Sequence, residues 1–161
     1  MAPVVIADAG PLIALAKADL LNLLQQLFGR VHLPPAVQQE CTAKDNADAR
    51  KITQAIASSV LVVEIIAAED CPPLPRSLGE GEKQAIGLAL RYEKPLLIMD
   101  DRLARKQARK YRIDFIGTAR LLALAEKKGH LPSAEGAIET MRANGYRISL
   151  DLLTKIRRKG V

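Results

Sequence analysis

Short apolar runs that alternate with longer stretches of helical periodicity limit this chain more than any other feature. The runs cover residues 4–7, 30–33, 60–66, 96–99 and 114–116. Helical patterns fill the gaps at 12–28, interrupted near 17–19, and at 35–44, 47–58, 80–92, 102–112 and 118–128. A strand that is apolar on both faces must be covered on both faces, and strands separated by helices pair in parallel. The pattern therefore predicts an α/β fold: a three-layer sandwich with a mostly parallel central sheet of about five strands flanked by helices. Residues 68–78, with Pro72, Pro73 and Pro75, read as a loop. Beyond Gly129, two further helices are expected at 133–143 and 149–158, opened by Ser133 and Ser149 as N-caps. They form a helical extension at the C-terminus.

A chain of 161 residues accommodates one ordinary domain. Its apolar runs are far too short for a membrane span, so no membrane association is expected. The segment from Met1 to Val5 has no basic stretch and no cleavage pattern, which predicts no secretion signal. Cys41 and Cys71 stand apart, in neither a CxxC nor a Cys/His metal spacing. A reduced, cytoplasmic setting is expected.

Charge is distributed unevenly. Residues 1–100 carry 9 Lys+Arg against 12 Asp+Glu, whereas residues 101–161 carry 15 against 6, so the net charge of +6 conceals an acidic first part and a strongly basic second part. A basic tract of this kind suits a surface that meets phosphate backbones. Arg102, Arg105 and Arg109 are its foremost candidates, although each alone also fits the solvated face of a helix.

In an open parallel sheet, ligands bind beyond the carboxyl ends of the strands, where the strand order reverses. The first strand ends at Asp8 and the fourth at Asp100 and Asp101. Each could serve as a turn or cap residue, but one Asp suffices for a cap and the second is then an unneeded charge. Ser77 and Glu80 have the spacing of a capping box. That leaves Glu82 on the core-facing stripe of Ala85, Ile86, Ala89 and Leu90 without a structural task. Glu40 lies at the border of a buried face formed with Val37 and Cys41. Two carboxylates about 4 Å apart repel by about 4 kcal/mol at an effective dielectric near 20, so a cluster of them must take up protons or bind a cation. All-oxygen donors select hard ions such as Mg²⁺ or Mn²⁺ over zinc. His32 and His130 stand alone and read as structural.

Taken in order, these residues resemble the PIN domain family, a fold of many metal-dependent ribonucleases that includes the toxin halves of VapBC-type toxin–antitoxin pairs. The resemblance runs from residue 4 to about 128. It rests on Val4 to Asp8, on Val37 to Glu40, on Gly81 and Glu82 leading into Ala85 to Ala89, on Leu97 to Asp101 followed by Arg105 and Ala108, and on Gly117 and Thr118. Residues 1–128 are thus expected to form a PIN-like nuclease domain, with 129–161 a helical extension of the same domain.

The resemblance implies an acidic quartet of Asp8, Glu40, Glu82 and Asp101, with metal held by Asp8, Glu82 and one or both of Asp100 and Asp101. Two positions depart from the family pattern: Glu82 stands where many relatives carry Asp, and Gly10 where many carry Ser or Thr. The expected activity is hydrolysis of RNA phosphodiesters by a water that the ion or ions, Mg²⁺ or Mn²⁺, make more acidic. Few aromatic residues are present, so recognition through the backbone is expected rather than extensive base stacking. An antitoxin protein and a second copy of the chain are the partners the resemblance implies. A competing reading is a PIN-like nucleic-acid-binding or assembly module that has lost catalysis.

Overall fold

The structure, a computed structural model, describes residues 3–160. Positions 1 and 2, part of the segment read above for a secretion signal, and position 161, the last of the expected extension, lie outside the described residues. Five parallel strands form one sheet in the order β3-β2-β1-β4-β5: β1 Val4–Ala7, β2 Val31–Leu33, β3 Leu61–Val63, β4 Pro95–Ile98 and β5 Asp114–Ile116. Between and after them lie α1 Ala9–Lys17, α2 Asn22–Phe28, α3 Pro35–Thr42, α4 Ala47–Ala57, α5 Glu80–Ala89, α6 Arg102–Lys110, α7 Thr118–Lys127, α8 Ala134–Ala143 and α9 Asp151–Arg158.

The all-apolar strands are explained by a core on each face. Val5, Ala7 and Ile98 point into a cluster with Leu12, Leu15, Ile52, Leu121 and Leu122, whereas Ile6 and Leu97 point into a second cluster with Ala85, Ile86, Ala104 and Ala108. Successive residues of β1 and β4 thus feed opposite layers, and both faces of these two central strands carry apolar side chains. Met141 of α8 and Leu153 of α9 join the first cluster, packed over α7.

Several boundaries differ from the sequence expectations, each for a local reason. The helix expected at 12–28 begins at Ala9, two residues before Pro11, and is two helices separated by a turn in which Asp19 takes φ 59°. The strand expected over 60–66 pairs only through Leu61–Val63; the Glu64 amide still donates to the Leu33 carbonyl at 2.9 Å, while its side chain meets His32 and Tyr92. Within the expected loop, Ala68–Asp70 forms a 3₁₀ turn. Ser133 caps α8 as expected, its Oγ accepting from the Gly136 amide at 3.0 Å. Ser149 stands one residue before Leu150, the N-cap position of α9, and its Oγ accepts from the Asp151 amide at 3.2 Å.

The topology determines where chemistry can occur. The chain builds outward from β1 to β2 and β3, then returns to place β4 on the other side of β1. The crevice between the carboxyl ends of β1 and β4 is the switch point, and Asp8, Asp100 and Asp101 are the residues that leave those two ends.

Candidate active site

Asp8 sits at the N-cap position of α1 but its side chain does not cap the helix. It is buried, at 7 % exposure, and its Oδ1 has no hydrogen-bond partner. Burial pushes the carboxyl up from 3.8 to about 6, opposed by the Ala9 amide and reinforced by the charges of Glu40, Asp100 and Asp101. For an ionised group in that position the Ala9 amide offsets only part of the cost of burial.

Glu82 corrects one sequence expectation. The N-cap of α5 is Gly79, so the residue three positions on is Glu82, and its Oε1 accepts from the Gly79 amide at 3.0 Å. The box proposed for Ser77 and Glu80 is not formed, because the helix starts at Glu80 itself. Capping uses only one oxygen: Glu82 Oε2 is buried with no donor to it. Burial first, then the charges of Asp8 and Asp101, raise this carboxyl from 4.5 to about 7 against the opposing effect of the Gly79 amide.

The two aspartates after β4 divide their tasks. Asp101 is the N-cap of α6, with Oδ2 accepting from the Ala104 amide at 2.9 Å. Asp100 turns toward α7. Its Oδ1 accepts from the Thr118 amide at 2.8 Å and lies 3.7 Å from the Arg105 guanidinium, while its Oδ2 accepts from the Thr118 hydroxyl at 2.6 Å and from Tyr146. Arg105 is itself tethered, its Nε donating to the Met99 carbonyl at 3.0 Å. Gly117 makes room for this network, since a Cβ there would collide with the Arg105 guanidinium and come within 3.0 Å of Asp100 Oδ1.

Glu40 reaches the site from α3. It is exposed, and its Oε1 accepts from the Gly81 amide at 3.2 Å, in the first turn of α5. Any side chain at Gly81 would press to 2.5 Å from that oxygen. Beneath it Cys41 is pushed up to about 12 by burial and by the charges of Asp8 and Glu40, so its thiol is inert as a nucleophile.

The fold thus gathers Asp8, Glu40, Glu82, Asp100 and Asp101 from β1, α3, α5 and the end of β4 into one electrostatic neighbourhood. Their chemistry fits a hard divalent cation: all donors are oxygens, and Asp8 Oδ1 and Glu82 Oε2 are buried without a proton donor. Among the described residues, no three such side chains converge closely enough to make a ready-formed ligand cluster.

Of the three arginines expected to meet nucleic acid, Arg105 and Arg109 stand over the Phe115 ring, 5.2 and 4.9 Å from its centroid. Arg102 is exposed on the first turn of α6, directly after Asp101. Sequence reasoning missed Tyr146. Its hydroxyl lies 3.4 Å from where a Cβ on Gly10 would be, and burial and the charge of Asp100 raise its ionisation well above the ordinary tyrosine range. A hydroxyl from the segment between α8 and α9 thus stands beside the glycine of α1. A tyrosine directly after a glycine between two helices, in a chain with three tyrosines, was the only signal available.

The chain belongs to a PIN domain family, described as DUF3368, whose match covers residues 4–160. The match therefore extends through the helical extension as well as the sheet. Comparison with curated proteins returned no match. PIN domains are a nuclease-type fold and typically use divalent metals, with nucleic acid as the implied substrate. No helix among the described residues is long and apolar enough to cross a membrane.

Proposed function

We propose that this protein is a metal-dependent endoribonuclease whose site lies at the carboxyl ends of β1 and β4. One observation carries the reading: buried Asp8 and half-buried Glu82, from distant segments, each keep one buried oxygen without a donor, and each lies in the field of other carboxylates, Glu40, Asp100 and Asp101 at Asp8, and Asp8 and Asp101 at Glu82. A protein that gained nothing from a cation there would have a cheaper apolar alternative.

Asp8, Glu82 and Asp101 would hold Mg²⁺ or Mn²⁺. Asp101 is favoured over its neighbour because its cap uses Oδ2 alone, whereas both oxygens of Asp100 are engaged. A bound ion supplies Lewis acidity toward phosphoryl oxygens and relieves the carboxylate repulsion. Glu40, exposed on α3, adds its charge to those acting on Asp8. Asp100, pinned by Thr118, Tyr146 and Arg105, orients the end of β4. Residues 1–128 form the nuclease body in this reading and 129–161 the extension that delivers Tyr146. The role of toxin in a toxin–antitoxin pair, a cytoplasmic location and a homodimer extend this reading through the family resemblance alone.

The test is incubation of labelled single-stranded RNA with the purified protein in Mn²⁺, Mg²⁺ and EDTA, beside an Asp101→Asn variant. Asn caps a helix as well as Asp does, so the variant folds. Cleavage that needs metal and is lost in the variant is expected. Equal cleavage by the variant would refute the assignment. A second reading, a binding module without catalysis, is favoured by the complete engagement of Asp100, and predicts RNA binding indifferent to EDTA with no cleavage in any metal.

A further inference from the structure

Beyond the carboxylates, a trough leads away from Asp100 to the open edge of the sheet. Next to Asp100 lies a depression of about 160 Å³, walled by Arg105, Phe115, Arg120 and, from α9, Leu152 and Ile156. On the far side of Phe115 lies a wider groove of about 720 Å³, lined by Arg109, Arg112, Asp114 and again Arg120. Phe115, Ile116 and Arg120 border both, so the two are one continuous path along β5.

Four arginines face this path against Asp100 and Asp114. Arg109, Arg112 and Arg120 are exposed and make no ion pair among the described residues. Arg109 is instead held over Phe115, a contact that fixes a guanidinium without neutralising it. Keeping several unpaired guanidiniums side by side costs repulsion, and an anionic ligand removes that cost. The aromatic ring is already a seat for Arg105 and Arg109, which leaves little of it to stack a base. Repeating anionic charge is what such a surface reads.

We infer that this trough is a binding track for the phosphodiester backbone of a single strand that extends beyond the cleavage point, with Arg109, Arg112 and Arg120 as its phosphate contacts. The inference rests on the nuclease reading for its direction, because the trough opens beside Asp100, but binding along it needs no catalysis.

The experiment is fluorescence anisotropy with labelled single-stranded RNA, in EDTA and over a range of salt. It compares the full chain with Arg112→Asn/Arg120→Gln and with a control of equal charge loss, Arg30→Ala/Lys44→Ala, at exposed positions away from β5. Asn is chosen at position 112 because Arg112 has φ 58°, which Asn tolerates. The groove variant is expected to bind about tenfold more weakly at low salt, with the salt slope reduced by about 1.4, the value for two phosphate contacts on a single strand. The control is expected to lose less than about twofold. Equal losses in the two variants would reduce the trough to general charge, and unchanged binding in the groove variant would overturn it. Polyglutamate that binds the wild type through the same two arginines while RNA does not would assign the trough to an acidic protein. Absence of cleavage in every metal, with RNA binding still lost in the groove variant, would sink the nuclease reading and leave the track standing. Cleavage of long RNA with unchanged KM in the groove variant would do the reverse.

Discussion

Replacing Asp8 with Asn should make the metal-free protein more stable while abolishing its cleavage of RNA. The carboxyl is raised from 3.8 to about 6 by burial. At about 1.4 kcal/mol per pH unit this amounts to about 3 kcal/mol of strain once the group is ionised. A folded-state value above the unfolded one means that the native state binds the proton more tightly. The associated stability is fully present below about pH 4 and is lost as pH rises through about 6, so above pH 7 the wild type bears the full penalty. Asn carries no charge but must find partners for its amide, which offsets about 1 kcal/mol of the gain. Urea unfolding in EDTA should therefore show Asp8→Asn more stable than wild type by about 1–3 kcal/mol at pH 8, with the difference nearly gone at pH 4.5. Saturating Mg²⁺ or Mn²⁺ should reverse the order, since a ligand at a hundred times its Kd stabilises by about 2.7 kcal/mol and only the wild type retains the ligand. A wild type that is the more stable protein at pH 8 in EDTA would refute the reasoning, because Asp8 would then have a favourable partner rather than strain.

Two other substitutions test the support around Asp100. Tyr146→Phe removes a hydroxyl that donates to Asp100 and should cost about 1–3 kcal/mol in urea unfolding, with weaker Mn²⁺ affinity measured by calorimetry; a loss below about 0.5 kcal/mol would mean that Thr118 and Arg105 hold Asp100 unaided. Gly117→Ala forces its methyl group into the Arg105 guanidinium and should break the Arg105–Asp100 pair. A cost of about 1–3 kcal/mol is expected by thermal unfolding, and wild-type stability with wild-type activity would show that Arg105 has room to move.

Much of this molecule was determined within short stretches of the chain. Apolar periodicity placed all five strands and the parallel sheet, because a strand buried on two faces cannot hide its composition. The same local logic put Asp8, Asp100 and Asp101 at strand ends, helical periodicity marked Glu40 and Glu82 beside buried faces, and the likeness to PIN domains joined them into one acidic set. Boundaries were less secure: the strand expected over 60–66 pairs only at Leu61–Val63, and the helix expected from residue 12 starts at Ala9. Helix entry mattered more still: starting α5 at Glu80 turned Glu82 from a residue without a task into a cap with one oxygen to spare.

Only the tertiary structure decided how the adjacent aspartates differ and what supports them. Asp101 caps its own helix, a contact three residues long, whereas Asp100 is held by Thr118 and Tyr146, eighteen and forty-six residues away. Periodicity reports which face of an element is buried but says nothing of which distant side chain will fill the space beside a glycine. Tyr146 beside Gly10, and the arginines that meet along β5, exist as a site only because helices α6 to α9 fold back across one edge of the sheet. Contacts of long sequence separation carry no signature in either of the segments that make them. The sequence by itself determined the sheet and its acidic strand ends, and packing decided which of those acids keep an oxygen free.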